Sequence, residues 1–446
     1  MVSERSTTTA PAQSERGLAR ALEAIRTAGE PAWLTDRRLA AWDAFQRLPL
    51  PSQVYQEEWR RTDISGLDLE AFTPPEPGGR AAPPHDLTGI SGTDGDRAGL
   101  VAHVDGAAVT QVLGEEARRH GVLFLDLAAA ASAHPDLVRE HLLGMLGDDF
   151  DRHKLRALHA ALWSGGTLVY VPRGVEVRLP LVAQTSLGTP GAAIFPHTLL
   201  VAEEGSKATL VDLYASVPEG SRTFACGMTE LILKQGAQVR YVAFQEWGAP
   251  MWEVGSLIRA RLERDATLHS LVVALGGSLV KCDVESELRG PGASSEMLGL
   301  YFGAGRQHID FHTLQEHRAP HTLSELLYKG AVKDVARSVF AGLIRVDWGA
   351  QKTNAFQANR NLILSEGARS DSIPKLEIMA NDLRCTHGSA TSRLNEEHIF
   401  YLMSRGLSRG QATRMIVEGF FADVFDRIPL ERVRAHVEKK IAEKMI

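Results

Sequence analysis

The sequence predicts a mainly β protein: a β-helix (a solenoid of stacked coils) flanked by N-terminal and C-terminal α-helical regions. Three observations carry this expectation. Over residues 166–394, short β-branched and aliphatic runs alternate with small turns. The turns recur as Gly205-Ser206, Gly236-Ala237, Asp265-Ala266, Gly292-Ala293, Gly330-Ala331, Gly349-Ala350 and Gly367-Ala368. The first four lie roughly 30 residues apart, inside the ~20–50 range of solenoids, propellers and other repeats. Helical crossovers and propeller blade signatures are both missing, which leaves a β-helix. Each coil of such a fold stacks on the last, so only the ends need covering. The helical regions 1–165 and 395–446 are natural covers for those ends.

At 446 residues the chain is long enough for two or three domains, or for one repetitive body with appendages. No run of about eighteen apolar residues occurs, so no transmembrane helix is expected. The start, MVSERSTTTAPAQSERG, is polar and lacks the apolar segment of a secretory signal. Three widely separated cysteines, Cys226, Cys282 and Cys385, make no disulfide framework and suit a reducing cytoplasm. The formal charge of −6 is mild and no basic stripe is present, which argues against nucleic acid as a partner.

In chain order, Gly17 to Phe45 reads as helix. Leu18, Leu22 and Ile25 share a face, and Trp33, Leu39 and Trp42 continue the register around Pro31. Glu57 to Asp63 is a charged segment around Trp59, read as an exposed loop anchored by that ring. Pro74 to Pro84 is a linker rich in Pro and Gly. A second helical block covers about Asp126 to Trp163. Thr167 to Gly174 is a strand ending in a Pro-x-Gly turn, and Val175 to Leu179 alternates as a half-buried strand. Asn395 is a helix N-cap with Glu396 and Glu397 in the first turn, and Gly406 stops that helix. Ser408-Arg409-Gly410-Gln411 fits a capping box, leading a stripe of Ala412, Met415, Ile416, Gly419 and Phe420. Pro429 opens a last helix with Leu430, Val433, Val437, Ile441 and Met445 on one side. Such a hairpin packs on its own protein or offers a docking surface, with Met415, Ile416 and Phe420 as candidate partner contacts.

Two groups carry candidate chemistry. Cys385 and His387 are two apart, so in a strand they share a face and offer thiolate and imidazole to a soft or borderline metal. The plain alternative is a buried thiol beside a turn histidine. His308, Asp310 and His312 also share a strand face, as a site of two histidines and one carboxylate requires, and His317 and His321 follow. These would serve a metal-dependent β-fold enzyme; the alternative is a ladder of polar side chains that binds nothing. Arg345, Asp347, Asn354, Asn359, Arg360 and Asn361 read as internal hydrogen bonding. No phosphate-binding Gly-x4-Gly-Lys-Ser/Thr loop and no Gly-x-Ser-x-Gly elbow occurs. A carbohydrate-active β-helix is disfavoured, because no strand carries a carboxylate cluster.

Several stretches together resemble the SufB/SufD family of iron–sulfur cluster assembly proteins. They are Ala160 to Gly174, Gln307 to Thr313, Gln351 to Glu377, and Asn381 through Gly406. Within the family, Glu58-Trp59-Arg60-x-Thr62 and Cys385-Thr386-His387-Gly388 are similar to the SufD branch. SufB-like chains carry an essential cysteine before a Phe-Pro strand, whereas Gly367 to Pro374 here has none. The resemblance implies a β-helix between helical regions and a non-catalytic scaffold subunit. It implies a SufB-like partner, a SufC-like ABC ATPase docked on the C-terminal helices, and a cysteine desulfurase system reached through SufB. It also implies that a transient iron–sulfur cluster forms at the SufB–SufD contact, with His387 and then Cys385 as its ligands or sulfur acceptors. Nucleotide chemistry would belong to SufC.

Overall fold

The computed structural model describes residues 17–27, 29–73, 88–93, 95–216, 219–428 and 430–445. The polar start before Gly17, the linker Pro74 to Pro84 and the helix-opening Pro429 lie outside the described residues.

Two sheets face each other across a lumen. One runs from the hairpin Gly99–Val104 and Ala107–Leu113 through Leu181–Leu187, Lys207–Ser216, Gln238–Glu246, Thr267–Ala274, Ser294–Gly303, Leu323–Val332 and Asn354–Ile363 to Arg384–Arg393. The other runs from Leu123–Asp126 and Gly166–Val171 through His197–Ala202, Met228–Leu233, Met251–Leu262, Leu279–Leu288, His308–His317 and Arg337–Val346 to Arg369–Ile378. From Gly166 onward the strands pair in parallel, residue over residue, so the fold is the expected β-solenoid.

The corners explain the repeat. Gly205, Gly236, Asp265 and Gly292 all adopt positive φ, and His321 and Lys352 do so in later coils. Their amides stitch neighbouring coils: Gly205 donates to Gln235 O, Gly236 to Arg264 O, His321 to Gln351 O. Glycine takes this conformation without strain, and the other residues hold it because the stack over-determines it. Gly330-Ala331 is a different case. It lies inside Leu323–Val332, and a Cβ on Gly330 would stand 1.9 Å from the Tyr301 ring. The glycine there makes room for an aromatic in the lumen, not for a turn. Val175 to Leu179 also departs from expectation: it pairs through one bridge, Glu176 to Lys207, instead of forming a strand.

The helices cover faces, not ends. Leu18–Thr27, Ala32–Arg47 and Lys154–Leu162 build a core against the outer side of the second sheet's early strands, through Leu34, Phe45, Leu158 and Trp163 against Leu199, Ile232 and Leu257. The long C-terminal helices Arg409–Phe425 and Glu431–Lys444 lie on the outer side of the first sheet. Val417, Phe421, Val424, Val433, Val437 and Ile441 there meet Leu213, Phe244, Leu300 and Leu327. The solenoid also starts earlier than Gly166, because the antiparallel hairpin and Leu123–Asp126 close its N-terminal end. The other end is open. Arg369–Ile378 and Arg384–Arg393 each have a strand neighbour on one side only among the described residues, and most of their side chains are exposed.

Candidate functional site

Cys385 and His387 stand on that last strand. Parallel register places His387 over Gln357, which lies over Leu326 and Met297, and places Cys385 over Ala355 and Ser324. Gln357, Leu326, Met297, Ala355 and Ser324 are all buried in the lumen, so both candidates face inward. With no coil stacked beyond them, His387 is exposed and Cys385 half-buried. Partial burial, against Ile344, Val346 and Ala355, raises the Cys385 thiol above its usual value. Across the lumen mouth stands Arg369–Ile378, with Ser370, Ser372, Pro374, Leu376 and Ile378 in the inward register. Imidazole and thiolate are both ligands that iron–sulfur centres accept. Among the described residues no three His, Cys, Asp or Glu side chains stand together as a metal site. Cys385 and His387 are thus two potential donors, fewer than the four that hold an iron–sulfur centre.

The His308, Asp310 and His312 arrangement needs correction. All three share one outward face, as the strand spacing predicts, but that face is covered. Lys281 Nζ lies 3.1 Å from Asp310 Oδ2, Thr62 Oγ1 donates to the same oxygen at 2.5 Å, and His312 Nε2 is 3.2 Å from Asp310 Oδ1. His308 Nε2 contacts Thr62 Oγ1 at 2.9 Å, and the Lys281 ammonium lies 4.9 Å from the Trp59 ring centre. Burial works to raise the Asp310 carboxyl, but Lys281, His312 and Thr62 override it and hold it far below the usual range. His308 is pushed down to about 4, mainly by burial. The Lys281 ammonium already balances the Asp310 carboxylate, and with Thr62 and Trp59 the cluster forms a seam that ties the Glu57–Trp59 turn to the solenoid. His317 and His321 are structural too. His317 Nδ1 and Nε2 contact Thr322 and Ser324 at 2.7 and 2.8 Å, and His321 is a corner residue. The reading of Glu57–Asp63 as an exposed loop anchored by the Trp59 ring holds for most of the segment, but sequence reasoning missed Lys281 and the burial of Thr62. No local signal marks Lys281: with Asp283, Glu285 and Glu287 it makes an alternating charged face of Leu279–Leu288 that reads as solvent-exposed.

The C-terminal stripe is displaced by one face. Val417, Phe421 and Val424 pack inward, while Met415 is 50% exposed and Ile416 half-buried. Phe420 is half-covered, with Lys329 Nζ donating to its carbonyl at 2.7 Å and lying 5.1 Å from its ring centre. Phe400, Tyr401 and Met403 on the helix Glu396–Ser404 are also exposed.

Comparison with known proteins decides the family. The domain described as "SUF system FeS cluster assembly, SufBD core domain" matches residues 184–420. The iron–sulfur cluster assembly protein SufD of Bacillus subtilis is 30% identical, over 93% of this chain and 95% of its own length. SufB of the same organism is 28% identical over 94% and 91%, and a SufBD family protein of Mycobacterium leprae 32% identical over 68% and 77%. This chain belongs to the SufB/SufD family. It is a SufD-like member, and its place is in iron–sulfur cluster assembly. The SufBD core match includes the open end with Cys385 and His387, the Lys281 and Asp310 seam, and most of the helix that carries Met415. Among the described residues no helix is long and apolar enough to cross a membrane.

Proposed function

We propose that this chain is a non-catalytic scaffold subunit that pairs, through the open end of its solenoid, with a SufB-like paralogue in the cytoplasm. The observation that carries this reading is the pair of one-sided strands at that end, with His387 and Cys385 facing into its mouth. An unpaired strand edge is a template for another strand, and a partner solenoid would cover both edges at once. The nascent iron–sulfur cluster is cargo, held between the chains by His387, by Cys385 and by ligands from the partner. The exposed Met415, with Ile416 and the Phe400 and Tyr401 surface, receives a SufC-like ATPase, which carries the nucleotide chemistry. Sulfur arrives from a cysteine desulfurase system through the SufB-like chain. Thiolate formation limits Cys385, whose burial disfavours the anion, so His387 ranks first as ligand.

The test is co-purification of the tagged chain from its native cell, with iron and acid-labile sulfide measured on what is retained. The expected result is a SufB-like and an ATPase chain retained together, with iron and sulfide in the assembly. Recovery of the chain alone, or of an assembly that never carries iron, contradicts the reading.

A further inference from the structure

Directly beneath His387 lies a glutamine with an atom to spare. Gln357 is fully buried in the lumen of the last complete coil. Its amide reaches across to the opposite sheet, where a Cβ on Gly342 would stand 2.4 Å from Nε2, so the glycine opens the space that the amide fills. Nε2 donates to Gly342 O at 3.3 Å. A carbonyl only accepts, which fixes the orientation of the amide and leaves Oε1 as the free acceptor. That oxygen is buried and has no hydrogen-bond partner among the described residues. A buried acceptor left unpaired keeps the cost of losing water without the gain of a new bond, so such atoms are generally matched in the working assembly. The next residue outward in the same ladder column is His387, one strand spacing (~4.8 Å) away.

We propose that Gln357 is a positioning residue for His387. When a partner closes the open end, the imidazole turns inward and donates one ring N–H to Gln357 Oε1. This fixes a single tautomer and aims the other nitrogen's lone pair at the iron of the nascent cluster. Histidines that bind metals generally have their second nitrogen held by an acceptor in this way. An amide does so without adding charge to the site. The inference rests on His387 being the ligand.

The test uses the assembled complex, with 15N-histidine in this chain only, and reads tautomers by solid-state NMR. His387 is assigned by difference from His387→Ala. The parent is expected to show one hydrogen-bonded tautomer for His387. Gln357→Leu should show a mixture, and Gln357→Glu, which keeps an acceptor, should restore one form. Iron and sulfide per complex should fall about tenfold in Gln357→Leu. If leucine prevents assembly, Gln357→Met keeps the length without the acceptor and is read in the same way. An unchanged His387 tautomer in either variant overturns the proposal. Full cluster content in His387→Ala sinks the ligand reading instead, whatever the tautomer result.

Discussion

Lys281 and Asp310 leave water together, and their side chains are 3% and 0% exposed. Removing either one strands a buried charge, so Asp310→Ala or Lys281→Met should each destabilise the fold by about 3–5 kcal/mol in urea titrations. The double variant Lys281→Met/Asp310→Leu leaves no unpaired charge, and its loss should be clearly smaller than the sum. A strictly additive result would mean that the pair is not coupled. A second residue-scale expectation concerns acid. Burial pushes His308 and His317 down to about 4, against ~6.5 in an unfolded chain. Their neutral rings therefore contribute fully above ~6.5, and that contribution is lost as pH falls through about 4, because the unfolded chain takes up protons that the fold refuses. His317→Gln should reduce the drop in urea midpoint between pH 7 and pH 5, and an unchanged drop would remove His317 from the explanation. At this scale sequence reading went only part of the way. Strand alternation placed His308, Asp310 and His312 on one face, but nothing local shows that Thr62, more than two hundred positions away, lies against them.

The corner turns and the helix caps were legible as elements because each depends on a few adjacent residues. Asn395 Oδ1 accepts from Glu397 N at 2.8 Å, and Ser408 with Gln411 forms both halves of the capping box. Gly330 was misread for a physical reason: a Gly-Ala pair looks the same whether it frees a turn or makes room for a ring. Gly330→Ala should force Tyr301 aside and cost about 1–3 kcal/mol, whereas Gly349→Ala, where an added Cβ meets nothing within 4 Å, should cost much less. Similar thermal midpoints for the two would contradict the close packing of Tyr301 on Gly330. The helix Arg409–Phe425 was legible as a helix but not in its orientation. Met415, Ile416, Val417, Phe420 and Phe421 are apolar around more than one face, so spacing alone does not choose the buried side. The structure separates the roles: Phe421→Ala should cost about 3–5 kcal/mol of stability. Met415→Glu should leave circular dichroism unchanged and abolish binding of the SufC-like ATPase. Unchanged ATPase pull-down with folded Met415→Glu would move that docking surface elsewhere.

As a whole, the molecule is a solenoid closed at one end by antiparallel strands, covered along both outer faces by helices, and open at the other end. The repeat in the sequence was enough to predict the solenoid. The open end was legible in part: a solenoid leaves free strand edges, and the strands just before Asn395 were expected to offer them, but nothing local shows that the following helices leave them uncovered. The same reason misassigned the helices to the ends: periodicity reveals an apolar stripe but not the surface it meets. If pairing uses the open end, crosslinks should join residues near Leu376 to Arg384 with the corresponding strands of the SufB-like chain. Crosslinks confined to the N-terminal helices would contradict that. The decisive measurement is the iron and acid-labile sulfide content of the co-purified complex carrying His387→Ala. The expected result is a complex that assembles with both partners, its fold intact, while iron and sulfide fall sharply. A variant complex that holds as much iron and sulfide as the parent would mean that the cluster does not form against His387.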